Sequence, residues 1–139
     1  MASSPAQPSH RFVAPTWMRA TSVLAFALFA AACTHEFLAN GGTVTAWVLM
    51  GLAVLGALGI AEVVTARVDL YPERIVIVSN LRKSAFPRGS FVRASWAKGV
   101  SVTLERSDGS FLKLPDVGGN SQGLTNSLRA WIKRSRVET

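Results

Sequence analysis

The chain has 139 residues, 49% of them hydrophobic and 17% charged, with a formal net charge of +7. Charged residues make up about a quarter of an ordinary soluble domain, so this composition, with a mean hydropathy of +0.28, excludes a small domain that lives wholly in water. A single cysteine excludes an internal disulfide, and no Cys/His group has metal-ligand spacing.

The charge is unevenly placed. Residues 1–66 hold Arg11 and Arg19 against Glu36 and Glu62, so the whole net charge belongs to residues 67–139. Two solvents are implied, lipid for the first part and water for the second. Residues 1–16, MASSPAQPSHRFVAPT, are rich in Ser, Ala and Pro and show no apolar period, which predicts a disordered cytoplasmic tail. Residues 17–66 then read as a transmembrane hairpin, with helices over about 17–39 and 43–64. Ala20 to Ala39 supplies about the ~20 residues that a bilayer core requires. Asn40-Gly41-Gly42 is a turn signal. Thr43 to Ala61, TVTAWVLMGLAVLGALGIA, carries no charge at all, the strongest membrane signal in the chain.

Residues 28–37, LFAAACTHEF, also fit the end of a cleaved export signal: a basic start, an apolar run and small residues before Cys33. A bacterial lipobox is similar, although Ala30 stands where Leu is usual. Retention of the helix accounts for more. Arg11 and Arg19 then lie on the same side as Arg67, Arg74, Arg82 and Lys83, and the connecting loop has no Lys or Arg. Such a distribution is what the positive-inside rule demands of a hairpin with both ends in the cytoplasm. Cys33 is then a small apolar residue of a membrane helix, and His35-Glu36 marks a helix end. Arg19 and Glu62 fall near one interface, either as an ion pair or as side chains reaching water separately. Ala53, Ala57 and Ala61 form a small-residue row that Ala27 and Ala31 are placed to face.

After Glu62 the texture becomes β-branched. VVTARVDLYPERIVIVSNLRKSAF predicts short strands, Ser90–Ala97 another, and VSVTLERSDGSFLKLP a hairpin. A two-residue Asp108-Gly109 turn would set Leu104 opposite Lys113. A three-residue loop, Ser107-Asp108-Gly109 with Gly109 left-handed, sets Leu104 opposite Leu112 and Val102 opposite Leu114, which keeps one face apolar and is preferred. Pro115 and Gly118-Gly119 end the sheet. A helix over about 121–135 follows, capped by Ser121 or Asn120. It places Leu124, Leu128, Trp131 and Ile132 on one face and Arg129, Lys133 and Arg136 on a separate stripe.

These residues together — a membrane hairpin running into VDLYPERIVIV, a basic stretch, a hairpin ending DGSFLKLP and a short last helix — resemble the bacterial pleckstrin-homology-like (PH-like) membrane proteins. The resemblance covers roughly residues 20 to 135. It implies an α+β membrane protein of the bacterial inner membrane, multi-pass, with two transmembrane helices followed by a cytoplasmic antiparallel β-barrel or sandwich. The barrel of that family has about seven strands capped by a C-terminal helix; six are visible here. Residues 67–139 would form this domain.

Catalysis has no support in the inventory. The two histidines lie in the tail and at a helix end, no phosphate-cradling Gly loop occurs, and Asp69 and Glu73 flank a turn as surface residues. No catalytic residue, cofactor or metal is expected. The candidate contact site for anionic lipid or a partner is the basic set Arg67, Arg74, Arg82, Lys83 and Arg88, since cations beside a membrane attract anionic headgroups. Nucleic acid is not expected, because stacking aromatics do not interleave these cations. The expected partners are the bilayer and other membrane subunits or further copies of the chain. The expected function is a non-enzymatic binding or scaffolding module at the membrane surface. An accessory subunit of a larger transporter, respiratory or photosynthetic assembly is the alternative.

Overall fold

The computed structural model describes residues 7–117 and 120–137, side chains excepted at 135–137. Among the described residues the fold is α+β, with three helices and two small antiparallel sheets. It divides into a helical unit, Pro15–Thr65, and a sheet unit formed by the segments on either side of it.

In the helical unit, α1 (Thr16–Asn40) and α2 (Val44–Thr65) form a hairpin. At 1.5 Å per residue each is roughly 33–38 Å long, more than the ~30 Å of a hydrocarbon core. Only 6% of each helix's most apolar stretch is buried, so neither is the core helix of a water-soluble fold. The turn works as its residues require. Gly41 adopts a φ of 70°, and the Thr43 hydroxyl accepts from the Ala46 N–H at 3.3 Å to cap α2.

Among the described residues the sheet unit holds seven strands. Strands β1 (His10–Val13), β2 (Arg67–Leu70), β3 (Arg74–Ser79) and β4 (Arg82–Pro87) form one sheet in that order; β5 (Phe91–Ser95), β6 (Thr103–Arg106) and β7 (Phe111–Lys113) form the other. Helix α3 (Ser121–Val137) follows. The first strand corrects the reading of residues 1–16 as a disordered tail. HRFV pairs antiparallel with β2, Arg11 opposite Asp69 and Val13 opposite Arg67, and supplies a seventh strand to the six expected. Residues 1–6 of that tail lie outside the described residues. The helical hairpin is therefore the connection between two neighbouring strands.

Alternation along the strands decides the core. Val68 and Leu70 of β2 and Ile75 and Ile77 of β3 point inward, joined by Phe91, Ala94, Val102, Leu104 and Leu114 from the second sheet. Leu124, Leu128, Trp131 and Ile132 of α3 are buried in the same cluster, as their spacing requires. The helix starts at Ser121, and the carbonyl of the preceding Asn120 accepts from the Leu124 N–H. Arg129 and Lys133 are exposed; the side chain of Arg136 lies outside the described residues, as do Gly118 and Gly119. The β6–β7 hairpin has the three-residue loop: Leu104 faces Leu112, and Gly109 has a φ of 80°.

Candidate functional site: a basic face around a buried carboxylate

The face of the four-stranded sheet turned away from the core is set by the same alternation. It carries Arg11 on β1, Arg67 and Asp69 on β2, Arg74, Val76 and Val78 on β3, and Lys83 on β4. Four cations thus share the face with one carboxylate. Asp69 is only 2% exposed and Val76, its neighbour across β3, only 3%. The reading of Asp69 as a surface residue is corrected. An unpaired carboxylate at such a depth would be costly, and two guanidinium groups prevent that. Arg11 Nε donates to Asp69 Oδ1 at 2.7 Å, and Arg67 Nε lies 3.3 Å from Oδ2. The pKa of Arg11 is raised further by that hydrogen bond, and next by the charge of Asp69.

The five cations named from the sequence take different roles. Arg67 is held against Asp69. Arg74 is exposed and stacks over the Tyr71 ring, 5.1 Å from its centre. Arg82 and Lys83 are exposed beside the β3–β4 turn, whose residues Asn80 and Leu81 both have positive φ, 51° and 59°. Lys83 and Arg67 flank Val78 on the same face. Arg88 is not part of this surface. Its Nε and Nη2 donate to the Trp131 carbonyl at 2.8 and 2.5 Å, its Nη1 donates to the Pro72 carbonyl at 3.0 Å, and its guanidinium lies over the Trp131 ring. Arg88 ties the short turn Arg88–Ser90 to α3. The site residues that sequence reasoning missed are Arg11 and Asp69. The R-V-D-L alternation already put Arg67 and Asp69 on one face, but nothing local to HRFV pointed to the third member.

The hairpin's expected contacts also shift. No salt bridge joins Arg19 to Glu62 among the described residues; Arg19 Nη2 donates instead to the Val64 carbonyl at 3.1 Å. Ala27, Ala31 and Ala57 are exposed, whereas Ala53 and Ala61 are half-buried. The half-buried stripe of α1 runs through Phe26, Ala30, Cys33 and Phe37, and that of α2 through Leu49, Ala53, Gly56 and Ile60. Gly56 decides this register: a Cβ there would stand 3.1 Å from the Phe26 ring. Cys33 Sγ lies 3.8 Å from the Leu49 carbonyl, and Phe37 meets Trp47 edge-on at 5.9 Å.

Among the described residues, no three His, Cys, Asp or Glu side chains come together in a way that would hold a metal ion. The sequence matches no family model, and neither a curated protein nor a solved structure is significantly similar to it.

Proposed function

We propose that this chain is an integral membrane protein of the bacterial inner membrane. On this reading the sheet unit is a PH-like, non-catalytic binding and scaffolding module at the cytoplasmic surface. The observation that carries the reading is the insertion of two exposed, apolar, membrane-length helices between two strands that pair directly with each other. A hairpin so inserted returns the chain to the side from which it left, so the residues before it and those after it share one compartment. The charges agree: Arg11, Arg67, Arg74 and Lys83 share one sheet face, and residues 41–43, between the helices, carry no cation. Seven strands in two antiparallel sheets with a helix packed on their core support the PH-like resemblance. The basic face is suited to the anionic cytoplasmic leaflet, where each cation near the surface contributes about 1 kcal/mol.

The test uses single-cysteine variants in a Cys33→Ser background. Membranes washed in alkaline carbonate should retain the protein. An impermeant maleimide applied to spheroplasts should label Asn40→Cys but not Gln7→Cys or Ser107→Cys until the membrane is broken. Labelling of Gln7→Cys and Ser107→Cys on opposite sides sinks the topology, and release by carbonate sinks membrane integration. Purification in mild detergent then separates the two roles: a stoichiometric large complex identifies an accessory subunit, whereas a free homo-oligomer identifies a stand-alone module.

A further inference from the structure

We infer that the cleft between β5 and α3 is a binding site for a phosphate-class anion. The inference rests on the binding-module reading above and gives it a ligand chemistry. The cleft has a volume of about 240 Å³ and is walled by Val92, Arg93 and Ala94 of β5 and by Arg129, Ile132 and Lys133 of α3. Half of these side chains are cations and none is an acid. Helix geometry explains one wall: positions 129, 132 and 133 are related as i, i+3 and i+4 and lie on one face. A shift in the pairing register between Phe91 and Arg93 shapes the other, and such irregularities re-aim side chains. Ala94 and Ile132, 0% and 4% exposed, give the cleft an apolar floor.

One of the cations is held in place. Arg129 Nε donates to the Ala94 carbonyl at 3.1 Å, which fixes the guanidinium beside the cleft. Among the described residues its two terminal nitrogens have no protein acceptor, so a planar fork is left for an oxyanion. Arg93 stands opposite Glu105 across β6, yet no salt bridge joins them among the described residues. Three mutually repelling cations around one small space are relieved by an anion. A phosphate monoester, with a charge of about −1.5 to −2 and three strong acceptor oxygens, answers them better than one carboxylate. Arginine supplies the bidentate contact and lysine a point charge. The space is smaller than the ~300–1,000 Å³ typical of drug-sized ligands, so it suits a single phosphate or the phosphate of a lipid headgroup rather than a nucleotide. None of Arg11, Arg67, Arg74 or Lys83 lines it, so this site is distinct from the basic sheet face.

The experiment uses the full chain purified in an uncharged detergent. One arm titrates inorganic phosphate by calorimetry against a chloride background. The other adds phosphatidic acid, whose headgroup is a phosphate monoester, to the micelles, with phosphatidylcholine as control. The expected result is saturable binding in at least one arm, weakened roughly tenfold in Arg129→Gln and in Lys133→Gln and unchanged in Lys98→Gln, which alters an exposed cation that does not line the cleft. Saturation by free phosphate identifies a soluble phosphate as the source; saturation by phosphatidic acid alone identifies a headgroup. Because Arg129 also holds Ala94, Arg93→Gln is a second variant that disturbs no backbone bond, and it should weaken binding similarly. Absence of saturable binding in both arms overturns the site, as does an equal loss in Lys98→Gln. Carbonate extraction of the same variants reads membrane integration separately, so failure of the site and failure of the membrane reading are told apart.

Discussion

Arg88 and Arg82 are indistinguishable in sequence, both basic residues in NLRKSAFPRG, yet one is structural and the other is free for contact. The difference lies 43 residues away, at the Trp131 carbonyl that Arg88 holds, and no local pattern reveals such a partner. Arg88→Ala should destabilise the full chain by about 2–3 kcal/mol, the cost of charge-assisted bonds to two carbonyls. Arg88→Lys should recover little of it, because an ammonium cannot reproduce the fork. Thermal unfolding in detergent compares the two. Asp108 provides a second test. Its Oδ1 accepts from the Ser110 N–H at 2.8 Å and from the Ser110 hydroxyl at 2.6 Å, and these bonds hold its carboxyl below the usual carboxylate range. The sign follows from the depressed value: its stabilisation is complete above the ordinary carboxylate range and is lost as pH falls through its own lower one. Carbon NMR of the carboxyl should show an inflection below the ordinary carboxylate range, and Ser110→Ala should move it upward. The loop that presents Asp108 was legible beforehand, because only the three-residue register keeps Leu104 facing Leu112.

At the scale of elements, the lengths of the two helices and the face of α3 were legible because each shows in a run of adjacent residues. The packing of α1 on α2 was not. Alanine is frequent all round both helices, so a row of alanines has no power to choose a face, whereas one glycine beneath one ring does. Gly56→Leu should push the helices apart and lower the unfolding midpoint in detergent. Gly56→Leu combined with Phe26→Ala should restore part of it, and Ala27→Leu and Ala57→Leu, both at exposed positions, should be tolerated. Strand β1 was illegible for a related reason. Four residues are too few to display a period of two, and their extended state is imposed by β2, far away in sequence. Deleting residues 2–13 leaves β2 as an unpaired edge and Asp69 without Arg11. The unfolding midpoint should fall by on the order of 10 °C. A midpoint unchanged by the deletion would show that β1 adds nothing to the sheet.

On the scale of the whole molecule, export-signal cleavage before Cys33 would remove β1 along with half of the hairpin, so the sheet as described requires His10–Val13 to be retained. Mass spectrometry of the isolated protein should find the peptide bearing Arg11, and a mature N-terminus at Cys33 would contradict the sheet as described. The insertion of the hairpin between β1 and β2 also imposes an order on synthesis. Arg11 leaves the ribosome 58 residues before Asp69, which at cellular rates is an interval on the order of several seconds. During it, both long helices are made, and β1 has no strand to pair with. The sheet unit therefore closes only after the hairpin has been completed. Its first-made strand is the one that waits, and every molecule whose hairpin is delayed carries an open β-edge for as long as the delay lasts.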